Sequence, residues 1–122
     1  MSDRDAPEFR LRLVFGPDAM IGPGKAELLE RIRATGSIAA AGREMGMSYK
    51  RAWQLVETLN GMFREPLVER TRGGAKGGGA AITATGEAVI AEYRALEAQA
   101  RNAGAPHAAR LRGLLRDIPG RT

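Results

Sequence analysis

Apolar and polar positions change their period along the chain, and each change marks an element. From Glu8 to Phe15 the residues alternate, with Phe9, Leu11, Leu13 and Phe15 on one side and Glu8, Arg10, Arg12 and Val14 on the other. A period of two predicts a half-buried strand. The next segment, GPDAMIGPG (16–24), holds two prolines and three glycines and reads as a loop. From Lys25 to Ala34 the period turns helical, and Leu28, Leu29 and Ile32 make one apolar stripe. Gly36 is placed for a left-handed C-terminal cap. Ser37 then N-caps a second helix, Ile38 to Met45, whose Ala39-Ala40-Ala41 run admits close packing, and Gly46 supplies a tight turn.

Ser48 N-caps a third helix from Tyr49 to about Phe63. At roughly 100° per residue, Ala52, Leu55, Val56, Leu59 and Phe63 share the core face, with Tyr49 and Met62 at its flanks. Lys50, Gln54, Glu57 and Gly61 lie opposite, and Arg51 and Trp53 lie on the borders. Pro66 ends the helical pattern. Leu67–Thr71 and Ala80–Thr83 read as two strands joined by RGGAKGGG (72–79), a turn with five glycines. Thr85 is placed to N-cap a long helix from Gly86 to about Asn102, with Ala88, Val89, Ala91, Tyr93, Leu96 and Ala100 on its apolar side. GAP (104–106) is expected to interrupt it, leaving Leu111, Leu114, Leu115 and Ile118 at helical spacing in a short basic tail.

The predicted fold is mainly α, a winged helix-turn-helix: strand, three helices, β-hairpin wing, long C-terminal helix. The expected organisation is a flexible N-terminus (1–7), one domain (8–102) ending in helix 86–102, and a basic tail (103–122) with a short helix. Helix 86–102 has more apolar edges than one small core needs, so it is read as a dimer seam rather than a core helix alone.

Composition narrows the function. The 122-residue chain is of single-domain size, with net charge +5 and a pI near 10.4. That balance favours an anionic partner, nucleic acid ahead of a membrane surface. There is no cysteine and one histidine, His107, which removes disulfides, thiolate metal sites and histidine-rich metal sites. No apolar run reaches the roughly 18 residues of a spanning helix, and MSDRDAPEFR has no signal-peptide core, so a cytoplasmic location is expected. Glu27, Glu30, Glu44, Glu57, Glu65 and Glu69 are scattered among basic residues, with no pair set apart for acid–base work. Serine, histidine and aspartate are too few and too poorly placed for a nucleophilic triad, so neither an enzyme nor a cofactor is expected.

The chemistry-bearing residues cluster between Ser37 and Gly77. Lys50 and Gln54, with Arg51 beside them, can reach phosphates and base edges from the start of the third helix. Ser37 and Ser48 begin helices, whose N-terminal N–H groups also suit a phosphate. Tyr49 flanks the core, and Trp53 is read in a mixed role, sealing the core and lying along the sugar-phosphate backbone. Arg70, Arg72 and Lys76, with Gly73, Gly74 and Gly77, would bring the wing close to DNA. A nucleotide-binding loop needs Gly-Lys followed by Ser or Thr at the head of a helix; here Lys76 precedes Gly77 between two strands.

TGSIAAAGREMGMSYKRAW (35–53) and LVERTRGGAKGGGAAITATGE (67–87) carry a family resemblance. Over about Lys25 to Ala100 the chain resembles the N-terminal DNA-binding domain of ModE, the molybdate-responsive bacterial repressor. The wider pattern, with LVER after the recognition helix, is shared with LysR-type regulators. The resemblance implies a homodimer on double-stranded DNA with an inverted-repeat operator, and control of molybdenum-related genes. Full-length ModE-like repressors continue into paired small β-barrels that hold molybdate or tungstate. The chain is accordingly read as a stand-alone ModE-type domain that does not bind molybdate tightly. A rival reading is a protein-interaction module that heterodimerises with a full-length regulator and sequesters it.

Overall fold

The computed structural model describes residues 7–72 and 78–116. It is a mainly helical winged helix-turn-helix. Strands β1 (Leu13–Gly16) and β2 (Ala19–Ile21) precede helices α1 (Pro23–Thr35), α2 (Ile38–Glu44) and α3 (Tyr49–Met62). Strands β3 (Val68–Thr71) and β4 (Gly79–Ile82) form the wing, and helix α4 (Ala84–Gly113) follows.

Local signals hold where the determinant is local. Gly36 caps α1 at φ 70°, its N–H donating to the Ile32 carbonyl. Gly46 turns the chain at φ 73°. A side chain at either position would be strained. The Ser37 and Ser48 hydroxyls accept from Ala40 N and Arg51 N, so both serines are true N-caps. The three helices close on Leu28, Leu29, Ile32, Val56 and Leu59, and Leu67 seals the cluster from the wing side. Each of these side chains is buried, which is worth about 1.5–3 kcal/mol apiece.

Three expectations need correction. The first strand starts at Leu13, not Glu8, and it pairs with β2 inside the segment read as a loop. Residues 7–12 run against α4 instead: Phe9 packs closely on Gly104, and the Leu11 carbonyl accepts from the Tyr93 hydroxyl at 2.7 Å. Burying Ile21 rewards β2 despite the prolines and glycines that flank it.

The N-cap of α4 is Thr83, not Thr85. Thr83 Oγ1 accepts from Gly86 N and donates to the Pro66 carbonyl, because β4 delivers Thr83 beside the end of α3. Thr85 instead donates to a Glu65 carboxylate oxygen at 3.2 Å.

GAP does not interrupt α4, which runs 30 residues through Pro106. An internal proline forfeits one hydrogen bond and costs about 3 kcal/mol. The alanines around it favour helix strongly, and Phe9 holds the helix at Gly104. Of the residues given to a separate tail helix, Leu111 belongs to α4, Leu114 caps its end, and Ile118 lies outside the described residues.

Ion pairs fix α4 on α1. Arg94 grips Glu30 through two nitrogens at 3.0 and 2.8 Å, and Arg33 meets Glu87 at 2.6 Å. The Glu30 carboxyl lies below the usual carboxylate range, chiefly because Arg94 donates to it.

Candidate nucleic-acid interface

Helices α2 and α3 cross closely because Gly42 has no side chain. A Cβ there would sit 2.8 Å from the Ala52 methyl. The intervening turn is held by Met47 N donating to the Gly42 carbonyl at 2.9 Å. This crossing pushes the first two turns of α3 outward. Lys50, Arg51 and Gln54 are exposed there, with Ala52, Val56 and Leu59 buried behind them. Glu57 follows one turn later on the same exposed side, so the cation-and-amide surface belongs to the start of the helix.

Tyr49 departs from expectation. It is 52% exposed rather than flanking the core. It lines a shallow cavity of about 170 Å³ with Ser37, Ala39, Arg70 and Gly79. That cavity joins the start of α2, the start of α3 and the wing into one surface.

Trp53 takes the core-sealing part of its predicted role. It is half-buried against the core cluster, and its ring lies under the Arg70 guanidinium, 4.3 Å from the centroid. Strand alternation explains the contact, since Arg70 shares a face of β3 with the buried Val68. Arg70 and Arg72 are exposed. Gly73, Gly74, Lys76 and Gly77 lie outside the described residues.

Asn60 is the residue the sequence reading missed. Its Oδ1 accepts from Leu67 N at 2.8 Å and Val68 N at 3.1 Å, and its Nδ2 donates to the Val68 carbonyl at 3.0 Å. The amide thus stands in for a strand along the outer edge of β3. Ala80 N donates to the Gly36 carbonyl at 2.9 Å from the other strand. Together these bonds set the wing relative to α3. An amide at the edge of α3's apolar face was the available signal.

Some cations are paired and others are not. Arg31, Arg33, Arg94 and Arg101 are held by glutamates. Lys50, Arg51, Arg70 and Arg72 have no carboxylate partner among the described residues. Among the described residues no group of three metal-ligating side chains occurs, and no helix is long and apolar enough to cross a membrane.

The chain is similar to known proteins. The chain is 49% identical over 77 residues to the molybdenum-pterin-binding protein MopA of Rhodobacter capsulatus, covering 63% of this chain and 29% of that protein. It is 43% identical over 79 residues to the molybdenum transport protein ModE of Azotobacter vinelandii, covering 65% and 29%. Against the DNA-binding transcriptional dual regulator ModE of Escherichia coli it is 36% identical over 86 residues, covering 70% and 33%. The chain thus spans about a third of the length of these relatives. The profile of the bacterial regulatory helix-turn-helix proteins, lysR family, matches residues 24–87. That match takes in more than half the chain and every element around the interface, and the chain belongs to this family of regulatory helix-turn-helix proteins, with ModE proteins among its relatives.

Proposed function

We propose that the chain is a sequence-specific regulator that binds double-stranded DNA as a homodimer, in the manner of ModE. The exposed start of α3 beside the wing carries this reading: Lys50, Arg51, Arg70 and Arg72 stand there without a carboxylate partner among the described residues. Lys50, Arg51 and Gln54 would enter the major groove. Arg70 and Arg72 would follow the backbone, joined by Lys76, Gly73, Gly74 and Gly77. Ser37, Ser48, Tyr49 and the Trp53 indole N–H would approach phosphates. The printed names of the relatives, which speak of molybdenum transport, molybdenum-pterin binding and transcriptional regulation, support a link to molybdenum-related genes. Such a regulator would act in the bacterial cytoplasm.

A homodimer is supported by an apolar cavity of about 460 Å³ between β1, the end of α3 and α4, bounded by Leu13, Phe15, Phe63, Val89 and Leu96. Phe15 is 61% and Leu96 41% exposed in the single chain. A second copy would cover them about a two-fold axis, the commonest oligomeric arrangement. Two α3 helices so related would enter successive major grooves about 34 Å apart and select an inverted repeat. A heterodimerising, sequestering module would need the same seam but not the exposed Lys50, Arg51, Arg70 and Arg72.

Titrating a pool of genomic fragments at two salt concentrations tests the proposal. The expected result is selective binding whose log affinity falls with log salt by about 0.9 per phosphate contact. Binding indifferent to salt, or none, removes the DNA reading.

A further inference from the structure

A duplex presents two backbones to a helix lying in its major groove, one on each side. The wing accounts for one side of α3. Tyr49 faces it, sharing a cavity with Arg70 and Gly79. Arg51 lies two residues further on, roughly 200° around the helix, and so points to the other side. Its charge acts there on Lys25, a cation of another element. Lys25, in the first turn of α1, donates its ammonium to the Met20 carbonyl at 2.8 Å. Arg12, just before β1, folds over the start of α1. Its Cγ lies 3.3 Å from where a Cβ on Gly22 would sit.

None of the three has a carboxylate partner among the described residues. Glu27 and Glu44, the acids at this end of α1 and α2, are both taken by Arg31, at 2.7 and 2.9 Å. Burial first, then the Arg12 and Arg51 charges, hold the Lys25 ammonium below the usual lysine range. Three like charges gathered without an acid cost free energy unless an anion joins them.

We propose that Arg12, Lys25 and Arg51 form a second phosphate clamp, gripping the DNA backbone on the side of α3 away from the wing. The proposal rests on the DNA-binding reading and adds Arg12 and Lys25 to it. Arg51 bridges the clamp and the recognition surface. The Met20 carbonyl accepts from the Lys25 ammonium, so that charge is positioned before DNA arrives. The ligand is the phosphodiester, so the clamp adds affinity without reading sequence.

Measure affinity against salt for the wild-type chain, Arg12→Gln, the Arg12→Gln/Lys25→Gln pair and Arg72→Gln, on a selected site and on random DNA. Circular dichroism confirms folding, and Arg12→Gln serves as the variant that leaves the Lys25–Met20 bond untouched. The slope should become shallower by about 0.9 for Arg12→Gln and about 1.8 for the pair. Affinity should fall equally on both DNAs. In ethylation interference the pair should lose phosphates on one flank of the half-site, and Arg72→Gln those on the other. An unchanged slope and phosphate pattern in the pair, with Arg72→Gln impaired, overturns the clamp and leaves the DNA reading intact. A loss confined to the selected site overturns it too, by making these residues base readers. If the wild-type chain itself shows no salt-dependent binding, the DNA reading fails and the clamp with it.

Discussion

Replacing Asn60 with alanine should cost more than any other single change at an uncharged polar side chain of α3. The side chain makes three hydrogen bonds to the backbone of Leu67 and Val68, at 2.8, 3.1 and 3.0 Å. Each is worth about 1 kcal/mol net. Leu67 and Val68 are themselves buried, so their N–H groups would be left without partners. An unsatisfied buried donor adds about 1–3 kcal/mol. Asn60 is only half-buried, and water entering the gap recovers part of that. The balance is about 2–4 kcal/mol. At roughly 3–5 °C per kcal/mol for a chain of this size, the melting temperature should fall by about 10 °C. Asn60→Asp separates the contributions: the carboxylate still accepts from both N–H groups, but it faces the Val68 carbonyl with an oxygen instead of a donor. It should fall between wild type and alanine at neutral pH. Urea unfolding with a fixed slope gives the free energies. A loss below about 1 kcal/mol for alanine, or an aspartate variant worse than alanine, would refute the account of Asn60 as a substitute strand.

Gln54→Ala should cost about 1–3 kcal/mol on the preferred site and little on random DNA, as a mobility-shift series on both will reveal; equal losses would assign Gln54 to the backbone. Leu96→Glu puts a charge into the exposed apolar cavity beside α4. Light scattering should report a monomer with weakened affinity for the inverted repeat, and a dimer that persists with full affinity places the seam elsewhere. Glu30 is held below the usual carboxylate range by Arg94, so its contribution to stability is complete above that range and lost as pH falls through it. Thermal melts from pH 7 to pH 3 should show Glu30→Gln with a flatter acid limb than wild type; parallel curves would assign the acid sensitivity to other carboxylates.

Determinants within a few residues of each other were legible in the sequence. The Leu28, Leu29, Ile32 stripe, the Gly36 and Gly46 turns and the Ser37 and Ser48 caps depend on backbone geometry and neighbours along the chain, and they stand where the pattern put them. The outward set of Lys50, Arg51 and Gln54 follows from the same helical period. What only the tertiary structure decided depends on residues distant in sequence. Thr83 and Thr85 are equal as caps until β4 sets Thr83 beside Pro66. GAP reads as a stop until Phe9 packs on Gly104 and the helix continues. Strand β2 becomes favourable only when Ile21 reaches the Ala26–Tyr93 cluster. Tyr49 is apolar enough for the core, yet the wing leaves it at a surface cavity instead. The Arg70–Trp53 stacking and the Asn60 amide across β3 join elements whose spacing no local period encodes. Burial and hydrogen-bond partners are properties of the assembled chain, and they choose among local conformations that the sequence leaves nearly equal in free energy.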